Sequence, residues 1–331
     1  MGRGAYIFSP LGPELSQNEK TFFNESDPFG FILFARHAQN PKQLRTLTQS
    51  LLECVGWQAP IFIDQEGGRV ARLTPPNWTA WLPPLDDCKR LGDRAREGLY
   101  LRYSIISAEL KALGIDANCS PVGDLAFDET HAILRNRCYG TSAKSVVERA
   151  RAVANAHLDA GVLPVMKHMP GHGRANVDSH LEVPRVHAEV SELAAQDFSV
   201  FKKLSDLPIG MSAHVIYENL DTQPATVSAK MIDLIRTHIG FGGLLLTDDI
   251  SMEALDGSVL ERGKNALAAG CDVVLHCNGN LKEMESLCSL GAMTGSANSR
   301  ADTALSLRNP VNPVDIDELK DKFIALTKEC A

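Results

Sequence analysis

Residues 162–180 read VLPVMKHMPGHGRANVDSH, and the change of character halfway along them decides the fold. The first half is an apolar run that ends in Lys167-His168. An apolar run without polar alternation is a strand buried on both faces, the pattern of a parallel sheet. In the second half Pro170, Gly171 and Gly173 let neither strand nor helix continue, so a loop starts at the polar pair. Buried strands that finish in ionisable side chains are the units of barrel active sites, which sit at C-terminal strand ends.

The same unit recurs on both sides. AYIFS (5–9), GFILFA (30–35), PIFID (60–64), GIDANCS (114–120), PIGMSAH (208–214), GLLLTDD (243–249) and DVVLH (272–276) are further candidate strands. Helix-period segments lie between them near 41–55, 93–112, 142–160, 189–205, 228–238 and 259–269, and VDIDELKDKFIALTKEC ends the chain. Ser142 and Ser228 stand at N-cap positions; Gly114, Gly161, Gly240 and Gly270 stand just past helices. Such alternation means parallel pairing through right-handed crossovers. Eight units close a (β/α)8 TIM-type barrel, an α/β fold. We expect a single catalytic barrel domain over residues 1–331, its first strand open to irregularity, with an added C-terminal helix. A doubly wound open sheet is the alternative. Loops 65–92, 121–141 and 169–183 are long for barrel connections and are expected at the active-site mouth.

Composition mainly excludes. Of the 331 residues 44% are hydrophobic and 22% charged, which is ordinary for a globular chain. A formal net charge of -8 argues against a nucleic-acid partner, since phosphate binding needs a basic surface. No segment approaches the ~20 apolar residues of a membrane span, and MGRGAYIFSP has no apolar run of signal-peptide length. The eight cysteines form no C-x-x-C pair and read as reduced thiols. A soluble, cytoplasmic monomer acting on a small molecule, without membrane contact, is the expectation.

Strand after strand ends in a polar group: Asp64, Lys167-His168, His214, Asp248-Asp249 and His276. Barrel topology gathers these ends on one face, which makes them a site rather than scattered solvated residues. In TDDISM only one of Asp248 and Asp249 is expected to face the mouth, the other capping nearby backbone; alternation alone does not say which. In DSH, Asp178 and His180 are two apart, so in an extended segment the carboxylate can hold and polarise the imidazole. DQEGGRVARL places Asp64 and Glu66 before a Gly-Gly turn with Arg69 and Arg72 after it, suited to gripping vicinal hydroxyls or, alternatively, to a structural ion pair. No phosphate-cradling motif is present. The histidines at 168, 172, 180, 214 and 276 show no metal-ligand spacing, so no metal or other cofactor is expected.

ILFARH, IDQEGGRV, KHMPGHG followed four residues later by DSH, MSAHV and TDDISM occur in this order. Together they resemble the family 3 glycoside hydrolases, specifically the bacterial cytosolic β-N-acetylglucosaminidases of peptidoglycan recycling. The KH-x-PGHG-x4-DSH element separates that branch from the β-glucosidase branch, which takes a carboxylic acid from an additional domain; a lone barrel is expected here. The resemblance implies Asp248 as nucleophile and His180 as acid/base with Asp178 as its partner. It implies that Asp64, Arg72, Arg137, Lys167 and His168 bind the terminal sugar; His214, Met211 and Asp249 are candidate supporting residues beside them. The RNRCYG stretch matches loosely, so Arg135 rivals Arg137.

The implied reaction is a retaining double displacement on terminal β-N-acetylglucosamine of muropeptides, through a glycosyl-enzyme. The DSH loop is expected to move, given its Gly and Pro content. Two other readings stay open: a metal-dependent amidohydrolase on the same barrel, and a non-catalytic amino-sugar-binding protein.

Overall fold

The computed structural model describes residues 3–175, 177, 183–308 and 315–330. Eight parallel strands form a closed barrel: β1 (Gly4–Phe8), β2 (Pro28–Leu33), β3 (Ile61–Ile63), β4 (Ala117–Asn118), β5 (Leu163–Met169), β6 (Ile209–Ser212), β7 (Leu244–Asp249) and β8 (Val273–Leu275). Each pairs with its neighbours in sequence, and β1 closes on β8 with Tyr6 opposite Val274 and Ile7 opposite Leu275. The open-sheet alternative is thereby excluded. The first strand carries the expected irregularity, a register shift against β2 between Gly4 and Ile7.

Alternation within the strands sorts their side chains into two apolar layers. Ala5, Ile7, Phe62, Leu163, Val165, Ile209, Leu244 and Leu246 fill the barrel interior. Tyr6, Phe8, Ile61, Ile63, Met166 and Leu245 pack outward with the surrounding helices. Both faces are buried, which is why the strands read as unbroken apolar runs.

Helices Pro41–Val55 and Val259–Ala269 match the expected bounds. Ser142 and Ser228 cap as expected, their side chains accepting the N–H of Ser145 and Met231. Gly114, Gly161, Gly240 and Gly270 all have the positive φ of a helix exit. Several expectations need correction. The segment 189–205 is two helices, Val190–Ala195 and Asp197–Lys203, because Gln196 (φ -112, ψ -81) leaves helical geometry. The segment 228–238 widens from an α-helix into a π-turn at Leu234–His238. Loop 65–92 holds a hairpin, Gln65–Gly67 with Val70–Ala71, and a helix, Pro84–Leu91. Helices at Gln17–Ser26, Leu281–Leu287 and Gly295–Leu305 were not anticipated.

The C-terminal helix, Ile316–Glu329, lies against Ala95–Lys111 and buries Leu326, while Phe323 meets Trp81 edge-on at 5.3 Å. Among the described residues no helix is long and apolar enough to cross a membrane. All eight cysteines are free thiols.

Candidate active site

Of the polar strand ends, Asp64, Lys167-His168 and Asp248-Asp249 open into one pocket. Its lining includes Asp64, Arg69, Arg72, Arg137, Lys167, His168, His172, Met211, Asp248 and Asp249, with apolar walls from Phe34, Leu134 and Met252. The parity of β7 puts one of its two acids on the interior side. Leu244 and Leu246 point into the barrel, so Asp248, two residues on, follows the same side. The pairing of β7 with β8 slips between Leu246 and Asp249, and that of β5 with β6 between Met166 and Met169. These slips bracket Thr247-Asp248 and Lys167-His168, and relax strict alternation where side chains must converge. Asp249 therefore also borders the pocket, contrary to the expectation of a single mouth-facing acid. Its carboxylate is nonetheless occupied, accepting the N–H and hydroxyl of Ser251 at 3.0 and 2.7 Å and the N–H of Cys277 at 3.2 Å.

One wall is a ladder of charges. Lys167 Nζ lies 2.7 Å from Asp64 Oδ1 and 2.7 Å from Glu66 Oε1. Arg72 donates to Asp64 Oδ2 at 3.1 Å, and Arg137 grips Glu66 with Nε at 2.9 Å and NH2 at 2.8 Å. The Arg137 contact is a planar two-point grip, the strong geometry for a guanidinium and a carboxylate. Burial alone would raise the carboxyl pKa values of Asp64 and Glu66. The adjoining cations outweigh it and hold both below the usual carboxylate range. Lys167 is correspondingly raised, burial being overcome by the two acids. The wall stays fully ionised and offers both hydrogen-bond donors and acceptors to vicinal hydroxyls.

Behind it lies a support that no motif announced. Arg102, fully buried, bonds Asp87 at 2.7 Å and also donates to the Glu66 carbonyl, as does the Tyr103 hydroxyl at 3.2 Å. Gly67 has φ 112, and a Cβ there would fall 1.9 Å from the Arg102 guanidinium. Only glycine lets the hairpin approach this closely.

His168 is held from below. Its Nδ1 lies 2.7 Å from Asp124 Oδ2, and Arg137 NH2 donates to its Nε2 at 3.3 Å. Asp124 Oδ1 also accepts the His172 N–H at 2.6 Å. Neither Asp124 nor His172 was among the expected site residues. Asp124 sits inside the loop 121–141 that was assigned to the mouth, and His172 inside the PGHG turn.

Asp248 is the one pocket-lining carboxylate without a side-chain partner among the described residues; its Oδ1 accepts the Asp249 N–H at 2.8 Å. Burial works against its ionisation. The imidazoles of His168 and His214 and the Asp249 N–H outweigh burial and keep its pKa below the usual carboxylate range.

Other expected residues fall differently. Met211 lines the pocket. His214 lies behind it, with Nδ1 2.8 Å from Thr226 Oγ1 and Nε2 donating to the Asp249 carbonyl at 3.0 Å, so it braces β7. His276 turns away to Glu283, 2.7 Å from Nε2, and is not part of the lining. Arg135 points away too, bonding the carbonyls of Phe127 and Asp128 at 2.6 and 2.8 Å. Asp178 and His180 lie outside the described residues. The first part of their loop is tied down by hydrogen bonds. Tyr217 donates to the Gly171 carbonyl, Thr130 to that of Gly173, and the His131 N–H to that of Ala175 at 3.0 Å. Among the described residues no group of three His, Cys, Asp or Glu side chains is arranged to hold a metal ion.

Comparisons with known proteins identify the family. The pattern of glycosyl hydrolase family 3, N-terminal domain, matches residues 14–305. A β-hexosaminidase from Methylobacillus flagellatus is 33% identical over 326 residues, covering 92% of this chain and 93% of that one. Another from Bordetella parapertussis is 35% identical over 288 residues, covering 83% and 80%. The crystal structure of NagZ from Neisseria gonorrhoeae in complex with N-trifluoroacetyl-D-glucosamine has a TM-score of 0.84 at 28% identity, covering 100% of this chain and 97% of that one.

Proposed function

The chain belongs to glycosyl hydrolase family 3 and is a glycosidase, and from that premise we propose that it is a retaining β-N-acetylglucosaminidase acting on muropeptides. The substrate class is terminal, non-reducing β-N-acetylglucosamine, as in N-acetylglucosaminyl-1,6-anhydro-N-acetylmuramic acid. The observation that carries the reading is the position of Asp248. It is ionised and without a side-chain partner among the described residues, opposite a charged wall suited to hydroxyls.

In the first step Asp248 attacks the anomeric carbon while His180 delivers its proton to the glycosidic oxygen. The carbon–oxygen bond breaks, the aglycone leaves as an alcohol, and a glycosyl-aspartate forms. In the second step His180 takes a proton from water, the hydroxide displaces Asp248, and the sugar leaves with net retention. Asp178 orients and polarises His180. Asp64, Arg72, Lys167, Arg137 and His168 hold the sugar hydroxyls. Their ion pairs are made before substrate arrives, so little reorganisation is needed during the reaction.

The test is Asp248→Asn assayed on an aryl N-acetyl-β-glucosaminide, with thermal melting as the control for folding. Turnover is expected to disappear while the melt is preserved. A slow-turnover 2-acetamido substrate should label the peptide containing residue 248. Near-normal turnover by the variant, or a label elsewhere, refutes the assignment. Faster cleavage of the anhydromuramyl disaccharide than of chitobiose supports the muropeptide reading.

A further inference from the structure

His172 takes no part in the steps above, yet it stands in the pocket wall. It is 1% exposed, and among the described residues neither ring nitrogen has a hydrogen-bond partner. Nearly all buried polar side chains are paired, and an unpaired one is costly. The ring is not there through slackness of the chain. Asp124 binds its backbone N–H, Tyr217 binds the carbonyl just before it, and Thr130 the carbonyl just after it. The His172 ring stands edge-on to His168, with centroids 5.4 Å apart. The fold fixes this polar group in place, and among the described residues it has nothing to bond.

A neutral imidazole presents one N–H donor and one lone pair. His172 is neutral at physiological pH, because burial and then the neighbouring His168 push its pKa down to about 4. Such a ring suits a group that itself has one donor and one acceptor, as a secondary amide does. Its position narrows the choice. Asp248 on β7 marks where the reacting carbon must lie, while Asp64, Lys167 and Arg137 gather on the β3 to β5 side. His172 leaves β5 and faces the pocket that Asp248 closes from β7. His172 therefore shares one pocket with the carboxylate that would take the reacting carbon and with the charged wall that would take the hydroxyls.

We propose that His172 is a specificity residue that hydrogen-bonds the 2-acetamido group of the bound sugar. This rests on the amino-sugar glycosidase reading and adds to it the residue that reads the amide. His172→Phe keeps the ring volume and removes both polar atoms; His172→Asn keeps one donor and one acceptor.

The experiment measures kcat/KM of both variants on 4-nitrophenyl and 4-methoxyphenyl N-acetyl-β-glucosaminides, with inhibition by free N-acetylglucosamine and by free glucose. His172→Phe should lose about tenfold or more on both substrates, and inhibition by N-acetylglucosamine should weaken in step. His172→Asn should stay within about threefold of wild type. A Phe variant more active than the Asn variant would show a packing role and overturn the proposal. So would a loss that grows with the poorer leaving group, which would place His172 at proton transfer. Equal weakening of inhibition by glucose would also overturn it. If His172→Phe does not fold, His172→Leu against His172→Asn reads the same difference. Wild-type protein inactive on both glycosides would instead defeat the N-acetylglucosaminidase reading on which the proposal rests.

Discussion

The Asp124 carboxylate lies 2.7 Å from Nδ1 of His168, and this contact selects the tautomer of the ring. A carboxylate only accepts, so Nδ1 carries the hydrogen and Nε2 presents a lone pair to the pocket side, where Arg137 meets it at 3.3 Å. The same carboxylate holds the His172 N–H. One buried acid thus sets the orientation of two pocket histidines. Asp124→Asn can keep the bond to the His172 N–H through its carbonyl, but it is a poor acceptor for His168. We expect kcat/KM on an aryl N-acetyl-β-glucosaminide to fall about tenfold or more, chiefly through KM. An unchanged KM would remove this contact from sugar binding.

Arg137 and Arg135 are two residues apart, and the structure separates their roles. Arg137→Ala deletes two bonds to the fully buried Glu66 and leaves that acid to Lys167 alone. Breaking a buried pair on one side costs about 3 kcal/mol or more, so a lower melting temperature is expected with a KM raised at least about tenfold. Arg135→Ala loses bonds to backbone at the edge of the loop. Its Michaelis parameters should stay within about twofold of wild type. Equal kinetic losses in the two variants would contradict the arrangement.

Much of this was legible in advance, for a local reason. Most barrel strands are buried on both faces and appear as short apolar blocks, with β4 and its buried Asn118 the exception, and glycines after helices mark the starts of β4, β5, β7 and β8. The helix at Gln17–Ser26 also has a signal in the sequence, the S-x-x-E capping box of Ser16 and Glu19. The strand-end rule found Asp64, Lys167, His168 and Asp248. It failed at His276, whose side chain turns outward to Glu283 once β8 has ended. It had no means of finding Asp124, which meets His168 across 44 residues of chain. That Asp248 lies on the interior side follows from the parity of Leu244 and Leu246, and parity is visible only when one knows which face is the interior.

Stability should depend on pH in a window set by buried histidines. Burial pushes His37, His157 and His172 down to about 4, 3 and 4. In the unfolded chain each binds a proton near pH 6.5. Above that value both states are neutral and the contribution is constant. Below it the unfolded state takes up protons that the folded state refuses, so stability falls as pH drops from about 6.5 toward 4. The depressed carboxylates Asp64, Glu66, Asp124 and Asp248 act lower down. Their stabilisation is whole above the unfolded carboxylate pKa of about 4 and is lost as pH falls through their lower folded values. Between pH 6.5 and 5 the histidines dominate, at on the order of 1–2 kcal/mol each by pH 5. Melting temperature should be flat from pH 8 to 7 and then decline steadily to pH 5. A flat profile across that lower interval would count against neutral buried imidazoles.

The last prediction concerns the held part of the PGHG loop. A Cβ on Gly173 would meet the Leu125 carbonyl oxygen at 2.0 Å, and that oxygen belongs to backbone that cannot rotate aside. Thr130 and His131 tie the same junction by bonds to the carbonyls of Gly173 and Ala175. Gly173→Ala must therefore push apart the segment that carries His172 and the one that leads to Arg137. Overpacking of this kind costs about 1–3 kcal/mol, and the displacement acts on both walls of the pocket at once. We expect kcat/KM to fall about tenfold to a hundredfold, because a misplacement of about 1 Å at a preorganised site is enough for that. Gly12→Ala serves as the control, since nothing lies within 4 Å of a Cβ there. That variant should keep wild-type kinetics and melting. If Gly173→Ala also keeps wild-type kcat/KM, residues 169–175 yield to strain without consequence, and they are not the rigid base on which the pocket histidines depend.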